Sequence, residues 1–376
     1  MFSAQREVAR PFVVIEDGVV TQIGDSAAET LPAGEVLDFP TATILPALFD
    51  VHIHGSAGHD IMEGTPEALD TIGGFLGRHG VGSYLATTVT ADINVTLRSL
   101  EKLAQEIRRP QTGAQPVGIH LEGPFLSPHK RGAHPASLLQ KPSEHLLNAM
   151  WQAAEGHVRL LTIAPELPGA DATIARAVAL GICVSLGHSN ATLAEACRGV
   201  ALGAASATHT FNAMRAFDHR EPGLAGEVLT NDGLFAELIC DGLHVDPTAV
   251  RLFWKMKGRE RGILITDAMS AAGMPDGHYK LGELDVRVEG GRCLIEENTI
   301  AGSTLTLDKG LRNFAEFTGA PLDQVLPLAT RNPARMLSLD DRIGDIATGR
   351  SADLVLLSPD RTVVQTFLRG KPQIAV

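Results

Sequence analysis

Six residues stand where an apolar run gives way to a loop: His52 and His54 in VHIHG (51–55), Glu122 in HLEG (120–123), His188 in SLGH (185–188), His209 in THTFN (208–212) and Asp267 in ITDA (265–268). Imidazoles and carboxylates without a cysteine make a donor set for a divalent ion; zinc is expected, with iron, manganese or cobalt as alternatives. Glu122, His188 and His209 form a three-ligand set that leaves one coordination position open, and an ion held there makes a water nucleophilic near neutral pH. Asp267 is then placed to take that water's proton and pass it to a leaving nitrogen. His52 and His54 alternate by two, so in a strand they share a face. They either complete a second metal site with Glu122 as bridge, the preferred reading, or line the pocket. Singly, each residue has a plainer reading as a packed histidine or a capping carboxylate. Their recurrence at matching strand ends is what packing does not explain.

Parallel strands must bring these ends together. Eight apolar runs, at 43–53, 83–89, 117–122, 158–164, 182–187, 205–210, 235–241 and 262–267, are mostly separated by stretches of helical period such as NVTLRSLEKLAQEIRR and PTAVRLFWKMKG. Strand and helix in alternation predict an α/β fold, a (β/α)8 TIM-like barrel whose polar strand ends share one face. An open doubly wound sheet fits less well, because no GxGxxG opens a first helix. Both ends of the chain read as hairpins: PFVVI, Glu16-Asp17-Gly18 and VVTQIG at the start, then ADLVLLS, Pro359-Asp360-Arg361, TVVQTFL and Arg369-Gly370-Lys371 at the finish. They predict one small discontinuous β-sandwich domain, residues 1–44 and 339–376, around a catalytic barrel at 45–338. Tyr279–Ile300, with turns at Glu289-Gly290-Gly291 and Glu297-Asn298, reads as a further β excursion.

A length of 376 residues accommodates such a barrel, about 250 residues, with a smaller module beside it. A formal charge of −12 argues against nucleic-acid partners, which need a concentrated basic surface. No tract is long and apolar enough to cross a bilayer, and the first residues lack the apolar centre of a secretory signal. Cys183, Cys197, Cys240 and Cys293 are scattered, as expected of reduced thiols in a cytoplasmic protein. A small anionic substrate would need local cations, for which Lys130, Arg131, Arg220 and His244 are candidates. His134 and His244 fall in strand-to-helix loops suited to touching a substrate. Gly302-Ser303 is either a close backbone approach or a turn.

The blocks HLEGPFLSPHKRGAH (120–134), GHSNAT (187–192), ATHTFNAM (207–214), REPGLAG (220–226), DGLHVD (241–246), TDAMSAAG (266–273) and AGSTLT (301–306) resemble, in order and over nearly the whole chain, the N-acetylglucosamine-6-phosphate deacetylases of the amidohydrolase superfamily. The resemblance implies hydrolysis of the acetamide of a sugar phosphate, with Glu122, His188 and His209 on the metal and Asp267 as acid/base. It further implies that His134 polarises the acetyl carbonyl, that Asn212 and Ala213 meet the phosphate, and that Arg220 with His244 binds phosphate or sugar hydroxyls. A homodimer is implied as well. Members differ at the first strand, and His52-Ile53-His54 keeps two ions open here. Cyclic-amide hydrolases are the nearest enzyme alternative, but they bridge their metals with a lysine at the fourth strand end, where this chain has Ala164-Pro165-Glu166. A noncatalytic scaffold of the same fold is the alternative from another class.

Overall fold

The computed structural model describes residues 1, 8–295 and 299–373. Eight parallel strands form one sheet: β1 (Leu48–Ile53), β2 (Val81–Thr88), β3 (Gln115–Glu122), β4 (Val158–Ile163), β5 (Cys183–Leu186), β6 (Ser206–Ala207), β7 (Phe235–Ile239) and β8 (Gly262–Ile265). They pair in chain order, and the ring closes beyond the last ladder. The Asp267 N–H donates to the His52 carbonyl (2.9 Å) and the His54 N–H to that of Ala268 (2.8 Å). The predicted barrel is therefore present, and its closing bonds run through two of the candidate site residues.

Helices α1 (Pro66–Arg78), α2 (Ile93–Arg108), α3 (Glu144–Ala153), α4 (Ala170–Ala179), α5 (Leu193–Ala201), α6 (Gly223–Thr230), α7 (Pro247–Arg261) and α8 (Leu307–Thr318) follow the strands in turn. Their starts are encoded locally. Thr65 caps α1 with Pro66 at its first position, and Thr192 with Glu195 makes a capping box on α5. One buried apolar cluster joins strands to helices through Ile72, Leu100, Leu121, Leu186, Phe253 and Phe314.

The run at 43–53 is two strands, not one. Thr43–Pro46 pairs with Leu354–Leu357, and at Ala47 the chain leaves that sheet for the barrel. Ala47 N–H still donates to the Asp353 carbonyl, whereas Leu48 N–H donates to Gly80. The termini also differ from a single sheet. Pro11–Glu16 and Val19–Asp25 form their own antiparallel pair, turning at Asp17 (φ 50°) and Gly18 (φ 79°), a left-handed pair suited to an Asp-Gly hairpin. A second sheet orders Thr43–Pro46, Leu354–Leu357, Val363–Leu368 and Lys371–Pro372. The two meet at a Val19–Ser351 bridge over a shared core of Val20, Ile346, Leu354, Leu356 and Phe367, which makes the β-sandwich built from both ends. The β excursion has three strands, Gly277–Leu281, Leu284–Glu289 and Arg292–Leu294. Its Leu281, Val286, Val288 and Cys293 pack with Val89 and Met269 beside the barrel mouth. The expected turn at Glu297-Asn298 lies outside the described residues.

Candidate metal centre

The strands end where the chemistry begins. Glu122 is the last residue of β3, and His54 follows β1 directly. His188, His209 and Asp267 each lie two residues past β5, β6 and β8. All three have left-handed backbones, with φ of 47°, 27° and 50°. Such conformations cost roughly 1–3 kcal/mol each outside glycine and persist where surrounding bonds impose them. Here Ser127 N–H donates to the His188 carbonyl at 2.9 Å, and Ser303 N–H to that of Asp267 at 2.8 Å. The Ser303 hydroxyl also donates to the Thr266 carbonyl, so Gly302-Ser303 is a brace for the Asp267 turn.

Glu122 is the hub. Its Oε1 lies 3.2 Å from His188 Nε2, 3.1 Å from His209 Nε2 and 3.4 Å from His52 Nε2. Its Oε2 lies 3.1 Å from His54 Nε2 and 3.4 Å from His134 Nε2. Asp267 Oδ1 stands 3.2 Å from His54 Nε2 and 3.4 Å from His52 Nε2. His52, Glu122 and Asp267 come from β1, β3 and the end of β8 of a closed barrel and are buried, so they meet inside its mouth.

The far side of each ring fixes where its proton sits. His188 Nδ1 faces the Lys130 carbonyl (2.9 Å) and His209 Nδ1 the Asn212 carbonyl (3.2 Å). A carbonyl only accepts, so both rings carry the proton on Nδ1 and turn a bare lone pair inward at Nε2. Glu122 Oε1 and the two Nε2 atoms, which lie 3.0 Å from each other, thus form a triangle of lone pairs with no proton to share. Edges of that size match a tetrahedral ion with ligand bonds of ~2.0–2.1 Å, whose ligands stand about 3.3 Å apart. A cation fits this set; hydrogen bonding does not. His52 likewise places Nδ1 against a carboxylate, Glu237 Oε2 at 3.2 Å, and offers Nε2 to a second set with His54, Glu122 and Asp267. His134 is the opposite case. Its Nδ1 accepts the Thr90 main-chain N–H (3.3 Å) beside the Thr90 hydroxyl (2.8 Å), which leaves the proton on Nε2, facing inward as a donor.

Electrostatics follow from burial and these neighbours. Burial alone would raise the Asp267 carboxyl, but the His52 and His54 rings, which Glu122 and Asp267 raise against burial so that both are cationic when no ion is bound, more than offset it and hold it at about 2. Burial would raise Glu122 as well, and the surrounding histidines draw it well below the usual carboxylate range. For His188, burial dominates and lowers the ring to about 4, so at neutral pH it is an uncharged ligand.

Sequence reasoning passed over three buried residues. His120, two before Glu122 and so on its face, accepts or donates to Thr162 (2.8 Å) and Thr87 (3.3 Å), and packs edge-on against His52 at 4.6 Å between ring centres. Thr162 continues to Thr208 (2.8 Å), which in turn meets Ser185 (2.7 Å), a polar belt beneath the metal ligands. Asp50, two before His52, accepts the Thr266 hydroxyl at 2.6 Å. Glu237 is a charge inside the apolar run FAELI. Period-two spacing and a carboxylate in a buried strand were the available signals.

The remaining candidates are arranged around this centre. Asn212 and Ala213 form the turn after His209, Ala213 with φ of 50°, and the Ala213 carbonyl accepts the Ser189 N–H at 3.0 Å. His244 is held by Asp241 (Nδ1 to Oδ2, 2.7 Å), and Asp267 contributes to keeping its pKa raised against burial. Arg220 is exposed on the loop before α6; its main-chain N–H donates to Asp218, and no hydrogen bond of its guanidinium occurs among the described residues. At the fourth strand end, Glu166 turns to Ser189 Oγ (2.7 Å) and Asn190 N–H (2.6 Å), away from a bridging role.

Comparison with known proteins agrees with this geometry. Residues 43–372 match the Amidohydrolase family. The chain is 38% identical to an N-acetylgalactosamine-6-phosphate deacetylase of Escherichia coli O157:H7, over 95% of this chain and 93% of that one. It is 35% identical to an N-acetylglucosamine-6-phosphate deacetylase of Bacillus subtilis, over 96% and 91%. Among solved structures it is similar to an aspartate-to-alanine mutant of the N-acetyl-D-glucosamine-6-phosphate deacetylase of Mycobacterium smegmatis in complex with N-acetyl-D-glucosamine-6-phosphate, with a TM-score of 0.91 and 36% identity over 97% of this chain and 95% of that one. With the closed barrel, the lone-pair triangle and near end-to-end similarity in hand, the chain belongs to the amidohydrolase family, among the N-acetylglucosamine-6-phosphate deacetylases and their near relatives.

Proposed function

We propose that this protein hydrolyses the acetamide of N-acetyl-D-glucosamine 6-phosphate to acetate and D-glucosamine 6-phosphate, a step of amino-sugar catabolism or recycling. The observation that carries the reading is the division of protons at the centre: His188 and His209 offer lone pairs beside Glu122, while His134 offers an N–H. Glu122, His188 and His209, whose inward atoms lie 3.0–3.2 Å apart, would hold one divalent ion; His52 and His54, with Glu122 and Asp267, would hold a second. When bound, such an ion supplies Lewis acidity and makes water nucleophilic near neutral pH. Asp267, ionised at neutral pH, takes the proton of the attacking water. His134 donates its Nε2–H toward the carbonyl oxygen as negative charge develops there. Asp267 then returns the proton to the departing nitrogen, so hydroxide ends on the acetyl carbon and hydrogen on the amine. Asn212, Ala213, Arg220 and His244 are assigned to the sugar phosphate, Arg220 because its planar fork matches phosphate oxygens.

Zinc is the ion we favour, as a nitrogen and oxygen donor set suits it; iron, manganese and cobalt suit it as well. A homodimer is proposed from the family resemblance, and Phe217 and Arg220, exposed on one loop, are suited to reach a second copy. Cytoplasmic residence is supported by four cysteines without disulfides, and no helix among the described residues is long and apolar enough to cross a membrane. We divide the chain into a catalytic barrel and a terminal domain as read from the sequence, 45–338 against 1–44 and 339–376, with the first boundary moved to Ala47, where the chain leaves the terminal sheet; the separate apolar core of the termini supports the division.

N-acetyl-D-galactosamine 6-phosphate, which differs only in configuration at C4, is a second reading favoured by the 38% identical relative. Acetate release from both sugar phosphates, unphosphorylated N-acetylglucosamine and dihydroorotate tests these together. The proposal expects the highest kcat/KM on the glucosamine derivative. Preference for the galactosamine derivative would shift the substrate, and turnover of the cyclic amide alone would overturn the reading.

A further inference from the structure

Glu237 lies in the middle of β7 and is completely buried. Its Oε2 is 3.2 Å from His52 Nδ1 and accepts the His209 main-chain N–H at 3.3 Å. Its own carbonyl accepts the Thr210 N–H at 2.8 Å. One residue therefore grips a ring from the first strand and both flanks of the strained turn after the sixth. Oε1 has no hydrogen-bond partner, and His52 is the only ion-pair partner of Glu237, among the described residues. A buried carboxylate left half-satisfied is costly, and packing alone would be served better by an apolar side chain of similar volume. The position demands an acceptor.

We infer that Glu237 is a positioning residue for the metal ligands. By accepting the His52 Nδ1–H it leaves Nε2 as the atom an ion would take, between Glu122 Oε1 and Asp267 Oδ1, each 3.4 Å away. By accepting the His209 N–H it holds the left-handed turn, φ 27°, that aims the second ring at Glu122. Glu237 thus ties the two ligand sets together without touching an ion itself. Carboxylates behind metal-bound histidines act in this way by fixing the tautomer and raising ligand basicity. The inference rests on the metal reading given under the proposed function.

The test is titration of the metal-free parent, Glu237→Gln and Glu237→Leu with Co²⁺, whose visible absorption reports its coordination geometry. Partners of this kind are typically worth ~10–100-fold in affinity. Glu237→Leu should weaken Co²⁺ binding by at least about 10-fold and change the absorption band, and Glu237→Gln, which keeps an acceptor oxygen, should recover part of both. In a parent that binds two ions the loss falls on the one held by His52; in a parent that binds one, it arrives through His209. A merely structural role lowers the melting temperature of metal-free Glu237→Leu but leaves the affinity and spectrum of the folded protein as in the parent, and that result overturns the inference. A parent that takes up no Co²⁺ overturns the metal reading itself, a distinct outcome.

Discussion

His188 and His209 point their Nε2 atoms at each other across 3.0 Å, while their Nδ1 atoms face main-chain carbonyls of Lys130 and Asn212. Two lone pairs at that distance, with Glu122 Oε1 as a third, repel unless a cation lies between them. Removing divalent ions by chelation should therefore abolish turnover and lower the melting temperature, and restoring the ion should reverse both. An ion at 100 times its dissociation constant adds about 2.7 kcal/mol of stability. Unchanged melting and unchanged turnover in protein shown to be metal-free would remove the centre from the mechanism.

His134 lies within 3.4 Å of Glu122, as close as His52, yet its Nδ1 accepts the Thr90 N–H. It should thus act as a donor and not as a ligand. His134→Ala is expected to keep the parental metal content while kcat falls about 10²–10³-fold, the range for losing one donor to an oxyanion. Loss of one ion per chain in that variant would reassign His134 to the ligands.

Asp267 must be ionised to take a proton and protonated to return it. Asparagine keeps the shape and can do neither. Asp267→Asn should lose ~10²–10⁴-fold in kcat while substrate still binds. If Asp267 instead only braces its turn with Ser303, the same variant melts earlier and turns over normally, so kcat and melting temperature from one preparation decide.

Arg220, exposed on its loop, is assigned to phosphate. Arg220→Ala should raise KM for the phosphorylated sugar, leave kcat nearly unchanged, and not alter KM for the unphosphorylated sugar. An unchanged KM for the sugar phosphate would move the role to Lys130 or Arg131.

Asp308, in the first turn of α8, meets His79 Nδ1 at 3.3 Å and Arg312 Nη1 at 2.8 Å. Burial would raise its carboxyl, but the His79 ring and its other partners hold it at about 2, against 3.8 when unperturbed. Its folded-state pKa is depressed, so its contribution is complete above about pH 4 and is lost as pH falls toward 2. It amounts to about 2 kcal/mol at most. Asp308→Asn should be less stable to urea near neutrality and should lose less further stability between about pH 4 and 2 than the parent. Parallel loss in both proteins over that window would count against the assignment.

Much of the centre was determined by local sequence. Strand, turn and helix signals are encoded over a few residues, and in a closed parallel barrel every strand end faces the same mouth, so His52, His54, Glu122, His188, His209 and Asp267 were legible as one site. The tertiary structure decided what each ring does. Proton positions depend on partners distant in sequence, as with His52 and Glu237, 185 residues apart, or His134 and Thr90, 44 apart. The left-handed turns at His188, His209 and Asp267 are held by bonds from Ser127, Glu237 and Ser303, since the left-handed tolerance of His and Asp permits such turns without fixing them. The break at Ala47 follows Pro46, which has no N–H for a ladder, but 43–53 is otherwise strand-like, and only pairing, first with Leu354–Leu357 and then with β2, divides it between two sheets.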